Sequence, residues 1–331
     1  MTKRSGFKRR ERDRNRRQLP LYSHVSGVEL YPMPGPYVSG RRLGAVLFPY
    51  FLVTPAIVFL AVFMAYPLIE TVTKSFFAYD ITNPIQTFIG FSNYAELTRD
   101  PVFHTAAKNA ALFVIFSVLV QVPIGTVLAA LLDRGVRPRA SLVFRTIIFA
   151  PLVLSIIAVG LLWQLILDPL VGLANAIVKT MGLHAPPLGW LGDPSIAIYV
   201  VMGVAFWQYV GFVTLLLLAG MQQIPNDLYE AATLDGAGPL TCFWYLTIPL
   251  LRNALIITTL LTMIGALRVF DFVYVLTGGG PGDATEVPGM MIYKEAFFLG
   301  RMGYANAISV LLLIATVGLG FLQIRFSRRL S

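Results

Sequence analysis

The chain has 331 residues, of which 56% are hydrophobic and 13% charged, and its mean hydropathy is +0.70. Soluble globular chains carry roughly 25% charged residues, so the composition excludes an ordinary water-soluble domain and points to a helical bundle in a bilayer. The net charge of +9 is concentrated at one end, and the single cysteine, Cys242, excludes an intramolecular disulfide.

Residues 1–44 hold eleven Lys and Arg. Such a run can mark nucleic-acid binding. Here a long apolar stretch follows directly, which favours a cytoplasmic tail beside anionic lipid headgroups, and no nucleic-acid partner is expected. The apolar run after Arg42 extends to Ile69. That exceeds the roughly 7–15 residues of a signal h-region, and no small-x-small cleavage site closes it, so it reads as a span rather than a leader.

Six apolar stretches suit a hydrocarbon core that takes about 20 helical residues to cross. They lie at 45–69, 106–132, 141–167, 196–221, 254–277 and 303–325. Their continuity favours helices over barrel strands. The expected organisation is a basic tail (1–44), a six-helix membrane domain (45–325) and a short C-terminal tail (326–331). With the N-terminus inside, the inner segments hold seventeen Lys and Arg and the outer ones five. Both termini are therefore expected in the cytoplasm of a multi-pass inner-membrane protein. Pro49, Pro55, Pro123 and Pro151 lie inside spans and predict bends there. The three histidines, His24, His104 and His184, are far apart, so no metal site is expected.

The inner loop 222–253 is long. Asp227 and Glu230 fit a capping box, Ala231, Ala232 and Leu234 favour helix, and Gly236-Ala237-Gly238-Pro239 ends it. A second short helix is expected from Leu240 to Ile248, closed by Pro249. The loop thus reads as two short helices joined by a sharp turn, outside the membrane.

Glu230-Ala231-Ala232, three residues, Gly236, nine residues, then Leu246-Thr247-Ile248-Pro249 resembles the EAA loop of bacterial ABC importer permeases, with Leu246 and Ile248 as conservative exchanges. The resemblance implies a type I ABC importer permease fold, all-α with six spans. It also implies that the loop is a coupling helix docking on a separate ATPase subunit, with Glu230, Ala231, Ala232, Asp235, Gly236 and Pro249 as its coupling residues. Phe270–Pro281 (FDFVYVLTGGGP) resembles the same region in carbohydrate-import permeases of the maltose, multiple-sugar and glycerol-phosphate type, the first of their two permease partners. The implied partners are a second permease, two ATPase subunits and an extracytoplasmic solute-binding protein, with a sugar-like solute as cargo. The chain has no Walker A pattern, and no Gly-Lys-Ser/Thr follows Gly278–Gly280. It is therefore not expected to be an enzyme or to hold a cofactor; ATP and Mg belong to the ATPase partner.

Counting from the loop, anchored on Trp207 and Thr277-Gly278, carries the substrate contacts of the maltose-type permease onto this chain. They fall at Ala205, Gln208, Tyr209 and Phe212 on the fourth span and at Thr262, Gly265 and Ala266 on the fifth. Each set occupies one helical face. Tyr209 and Phe212 suit stacking on a pyranose, and Gln208 and Thr262 suit hydrogen bonds to hydroxyls; ordinary helix packing is the competing role for the aromatics. Arg268 and Asp271 have i, i+3 spacing and are expected to form an intramembrane ion pair. On a continuous helix Asp271 lies nearly opposite Gly265 and Ala266, as a structural or gating group, whereas Arg268 also suits an acidic substrate. The alternative cargo is a non-sugar solute such as a glycerol phosphate, a polyamine or an anion. An intramembrane enzyme would need paired acids, or Ser with His, within the spans, and neither pattern occurs.

Overall fold

The computed structural model describes residues 43–80, 85–135 and 137–329. The basic tail expected at 1–44 lies outside them except for its last two residues, and so does the end of the C-terminal tail. The chain divides into two compact units between Ala61 and Val62. The first contributes the helix Leu43–Leu60 with Pro49 and Pro55 inside it, and from Phe48 onward its side chains are exposed.

Among the described residues, four helices are long and apolar enough to cross a membrane: Phe48–Lys74, Pro101–Gly135, Ala197–Met221 and Met302–Arg325. Two further pairs are bent: Arg139–Val153 with Ile156–Ile166 at 101°, and Pro239–Leu250 with Arg252–Leu267 at 72°. Counting each bent pair as one span gives the expected six; in the second pair Pro239–Leu250 is the second helix of the 222–253 loop, and the fifth span proper is Arg252–Leu267. We refer to them in chain order as the first to sixth spans.

The bend expected at Pro151 takes the form of a break in the third span, and one expectation of continuous helix, in the fifth span, is corrected. The third span breaks at Leu154 and Ser155, both extended at ψ 145° and 136°. Pro151 lies just ahead inside the helix and disrupts its ladder of hydrogen bonds. The fifth span stops at Leu267, and a separate short helix, Asp271–Leu276, follows. The two outer fragments pack together at Gly160, where an added Cβ would lie 2.5 Å from the Val275 side chain. Gln164 donates to the Val275 carbonyl at 2.6 Å beside this contact. Bending at Pro123 takes a milder form. The wide turn Ser117–Gln121 precedes it, and a second wide turn, Phe243–Thr247, precedes Pro249. Widening the turn moves the preceding carbonyls away from the proline ring while the helix continues.

The largest buried apolar cluster joins Phe113, Val159 and Val201 from the second to fourth spans with Phe272 and Val273 of the short helix after the fifth. A second cluster holds Val122, Val213, Leu217 and Leu251 toward the 222–253 loop. At the opposite end, the chain after Pro281 is braced by polar contacts. Asn109 donates to the carbonyls of Ala284 and Glu286 at 2.9 and 2.8 Å. The Glu286 side chain is fully buried, and Lys294 donates to it at 2.6 Å. Burial pushes the Glu286 carboxyl above its usual range, against the opposing pull of Lys294.

Candidate functional site

The second, fourth and fifth spans enclose a cavity of about 420 Å³. The fourth span supplies Ala205, Tyr209 and Phe212, and the fifth supplies Thr262, Gly265 and Ala266. These positions, placed on single helical faces by their spacing, line one common space. Tyr209 meets Phe272 edge to face, with ring centroids 6.0 Å apart at 89°, a favourable aromatic geometry. Thr262 donates its hydroxyl to the Thr258 carbonyl at 2.7 Å, which leaves the oxygen free to accept from a solute.

Gln208 is a correction. It is 2% exposed and absent from the cavity lining. Its side-chain amide donates to the Leu154 carbonyl at 3.1 Å, one of the groups freed by the break in the third span. Gln208 therefore braces the broken helix. The expected Arg268–Asp271 ion pair is a second correction: it does not occur among the ion pairs of the described residues. The helix ends between the two residues, with Arg268 at the C-cap of one segment and Asp271 opening the next, so the i, i+3 geometry is lost. Both residues instead line the cavity and are exposed.

The second span adds Phe113, Phe116, Ser117 and Gln121 to the lining, none of which was singled out from the sequence. Ser117 and Gln121 bound the wide turn, and such turns gather at functional sites. Two polar residues just ahead of Pro123 in an apolar run were the available signal.

The second feature is the loop between the fourth and fifth spans. Its first helix is Asn226–Leu234, preceded by Pro225 at the N-cap position without a side-chain cap. The expected capping box is not formed. Pro225, in an extended conformation, starts the helix two residues earlier than expected, and Asp227 becomes a first-turn acid at the positive end of the helix. Gly236 ends the segment at φ +86°, a conformation that glycine adopts without strain. Glu230, Ala231, Asp235 and Gly236 are exposed, and Leu234 is 89% exposed. The other face is held: Tyr229 is buried and shares a hydrogen bond of 2.9 Å with Thr247 of the second loop helix. The loop is thus a braced pair of helices with one side open.

Residues 121–331 match the family described as the inner membrane component of binding-protein-dependent transport systems. A probable ABC transporter permease of Bacillus subtilis is 41% identical over 280 residues, covering 85% of this chain and 96% of the relative. A lactose transport system permease of Rhizobium radiobacter is 34% identical over 279 residues, covering 83% and 92%. Among solved structures, a chain of a bacterial ABC transporter involved in import of the acidic polysaccharide alginate superimposes with a TM-score of 0.76 at 23% identity, covering 86% of this chain and 96% of that one. That likeness shows the fold. With spans, cavity and loop agreeing, the chain belongs to the binding-protein-dependent ABC transporter inner-membrane permeases, and it is an integral membrane protein.

Proposed function

We propose that this permease forms half of the translocation pathway of an ATP-driven carbohydrate importer. The observation that carries the reading is the cavity shared by the second, fourth and fifth spans, where aromatic rings stand beside hydroxyl and amide groups. A ring face suits the apolar side of a sugar, and the polar groups suit its hydroxyls. The lactose permease relative supports the same solute class. The other half of the pathway comes from a second permease, and an extracytoplasmic binding protein delivers the solute. Two ATPase subunits bind ATP and Mg and hydrolyse ATP, while this chain has no chemistry of its own.

Glu230, Ala231, Ala232, Asp235 and Gly236 form the face that meets the ATPase, and Pro249 sets the second loop helix. The exposed side of a braced helix pair is what such docking requires. The excess of Lys and Arg in the inner segments supports a cytoplasmic position for this loop and both termini.

One observation favours a second reading. Arg268 lines the cavity without an ion-pair partner among the described residues, and a charge within a span is expensive unless compensated. An anionic solute would compensate it. Uptake by the complete transporter in proteoliposomes separates the readings, with neutral disaccharides and a sugar phosphate as solutes. The carbohydrate reading predicts disaccharide uptake that Arg268→Gln lowers by less than roughly tenfold. Uptake of only the anionic sugar, abolished by Arg268→Gln at unchanged protein level, would establish the second reading instead.

A further inference from the structure

The second span runs from the cavity to the loop between the fourth and fifth spans, and at its loop-facing end it carries Arg134. The guanidinium of Arg134 lies over the Tyr229 ring, 3.4 Å from its centroid. One terminal nitrogen donates to the Asn226 side-chain oxygen at 2.8 Å, and Nε faces Asp133 at 3.1 Å. Asn226 and Tyr229 sit one turn apart on the first loop helix, so a single planar group grips two successive turns. Tyr229 in turn shares its hydroxyl contact with Thr247 of the second loop helix. Both loop helices are therefore tied, through one arginine, to the end of the second span.

That span is one continuous helical stretch, Pro101–Gly135. Along its length it carries Phe113, Phe116, Ser117 and Gln121 into the cavity. A helix is stiff along its axis, and a displacement applied at one end reaches the other through its hydrogen-bonded turns. Without Arg134, loop movement would reach the second span only through the packing of Val122 against Val213, Leu217 and Leu251; the arginine adds a direct tie to the loop helices. We propose that Arg134 is a positioning residue that latches the 222–253 loop to the second span, so that loop movement driven by ATP repositions the second-span wall of the cavity. The proposal rests on the reading of this loop as the coupling element.

The test uses the assembled transporter, with Cys242→Ser removing the native thiol and Ser117→Cys placing one in the cavity wall. The rate of labelling by a membrane-impermeant maleimide is measured with and without ATP and Mg, alongside phosphate release. With Arg134 present, ATP changes the labelling rate by roughly fivefold or more. Arg134→Ala reduces that change to under about twofold while phosphate release continues, and Arg134→Lys, which keeps a cation over the ring but loses the planar fork, restores part of it. A full ATP-driven change in Arg134→Ala, together with its loss in Gly236→Asp, overturns the latch and leaves the coupling loop standing. A full change in both variants overturns the coupling reading as well. If Arg134→Ala does not assemble, Asn226→Ala decides: loss of the labelling change with hydrolysis intact supports the latch. An unaltered change in Asn226→Ala, or failure of that variant to assemble as well, assigns the contact to folding and overturns it.

Discussion

Glu286 and Lys294 set a pH-dependent contact at the end of the molecule opposite the loop. Burial raises the Glu286 carboxyl and Lys294 opposes the rise. A group with a raised folded pKa gives stability that is present below its unfolded pKa and lost as pH rises through the folded one. Removing the cation with Lys294→Met raises the Glu286 carboxyl further. The variant is expected to lose about 2 kcal/mol at pH 7.5 through an uncompensated buried charge. Because Glu286 takes up a proton on acidification, the loss shrinks toward pH 5. Thermal unfolding in detergent across that range checks this, and a deficit that grows on acidification would contradict it. Gln208 teaches a related lesson. Its place on the same face as Tyr209 and Phe212 suggests the cavity, but a freed carbonyl at Leu154 claims it first, since a buried backbone acceptor left unmade is costly.

At the scale of elements, the broken third and fifth spans depend on Gly160. Gly160→Leu is expected to cost about 1–3 kcal/mol by overpacking, read as a lower unfolding temperature and less folded protein, and Val275→Ala in the same chain should recover part of the loss. Unchanged stability of Gly160→Leu would show that the fragments separate freely. Apart from the outer end of the fifth span, which stops at Leu267, the span ends were broadly legible because apolar length and the loop signals Gly236 and Pro249 are local. The breaks were not. Pro151 announced a bend, but a turn of 101° depends on Gly160 meeting Val275 and on Gln208 receiving the loose carbonyl, which are contacts between distant segments. For the same reason the Arg268–Asp271 pair, sound on a continuous helix, dissolves once the helix stops at Leu267. The six cavity positions that did fall together lie on unbroken parts of the fourth and fifth spans, where helical periodicity holds.

At the scale of the whole molecule, the first span is exposed from Phe48 to Ile69, and Val153 and Leu170 of the third-span region are 85% and 87% exposed. Surfaces of this kind suit lipid and, under the proposed function, a second permease. The cavity at one level and the open loop at another are joined by the fourth and fifth spans, and by the second through Arg134. The central claim is that this chain moves solute with energy released on another subunit and received through the loop at Gly236. The most direct test measures uptake and phosphate release in the same proteoliposomes, for the parent transporter and for Gly236→Asp, using a radiolabelled sugar selected by binding to the cognate binding protein. A side chain at φ +86° strains the turn. The account predicts that phosphate release persists in Gly236→Asp while uptake falls roughly tenfold or more; uptake at the parent's rate per phosphate released would contradict it.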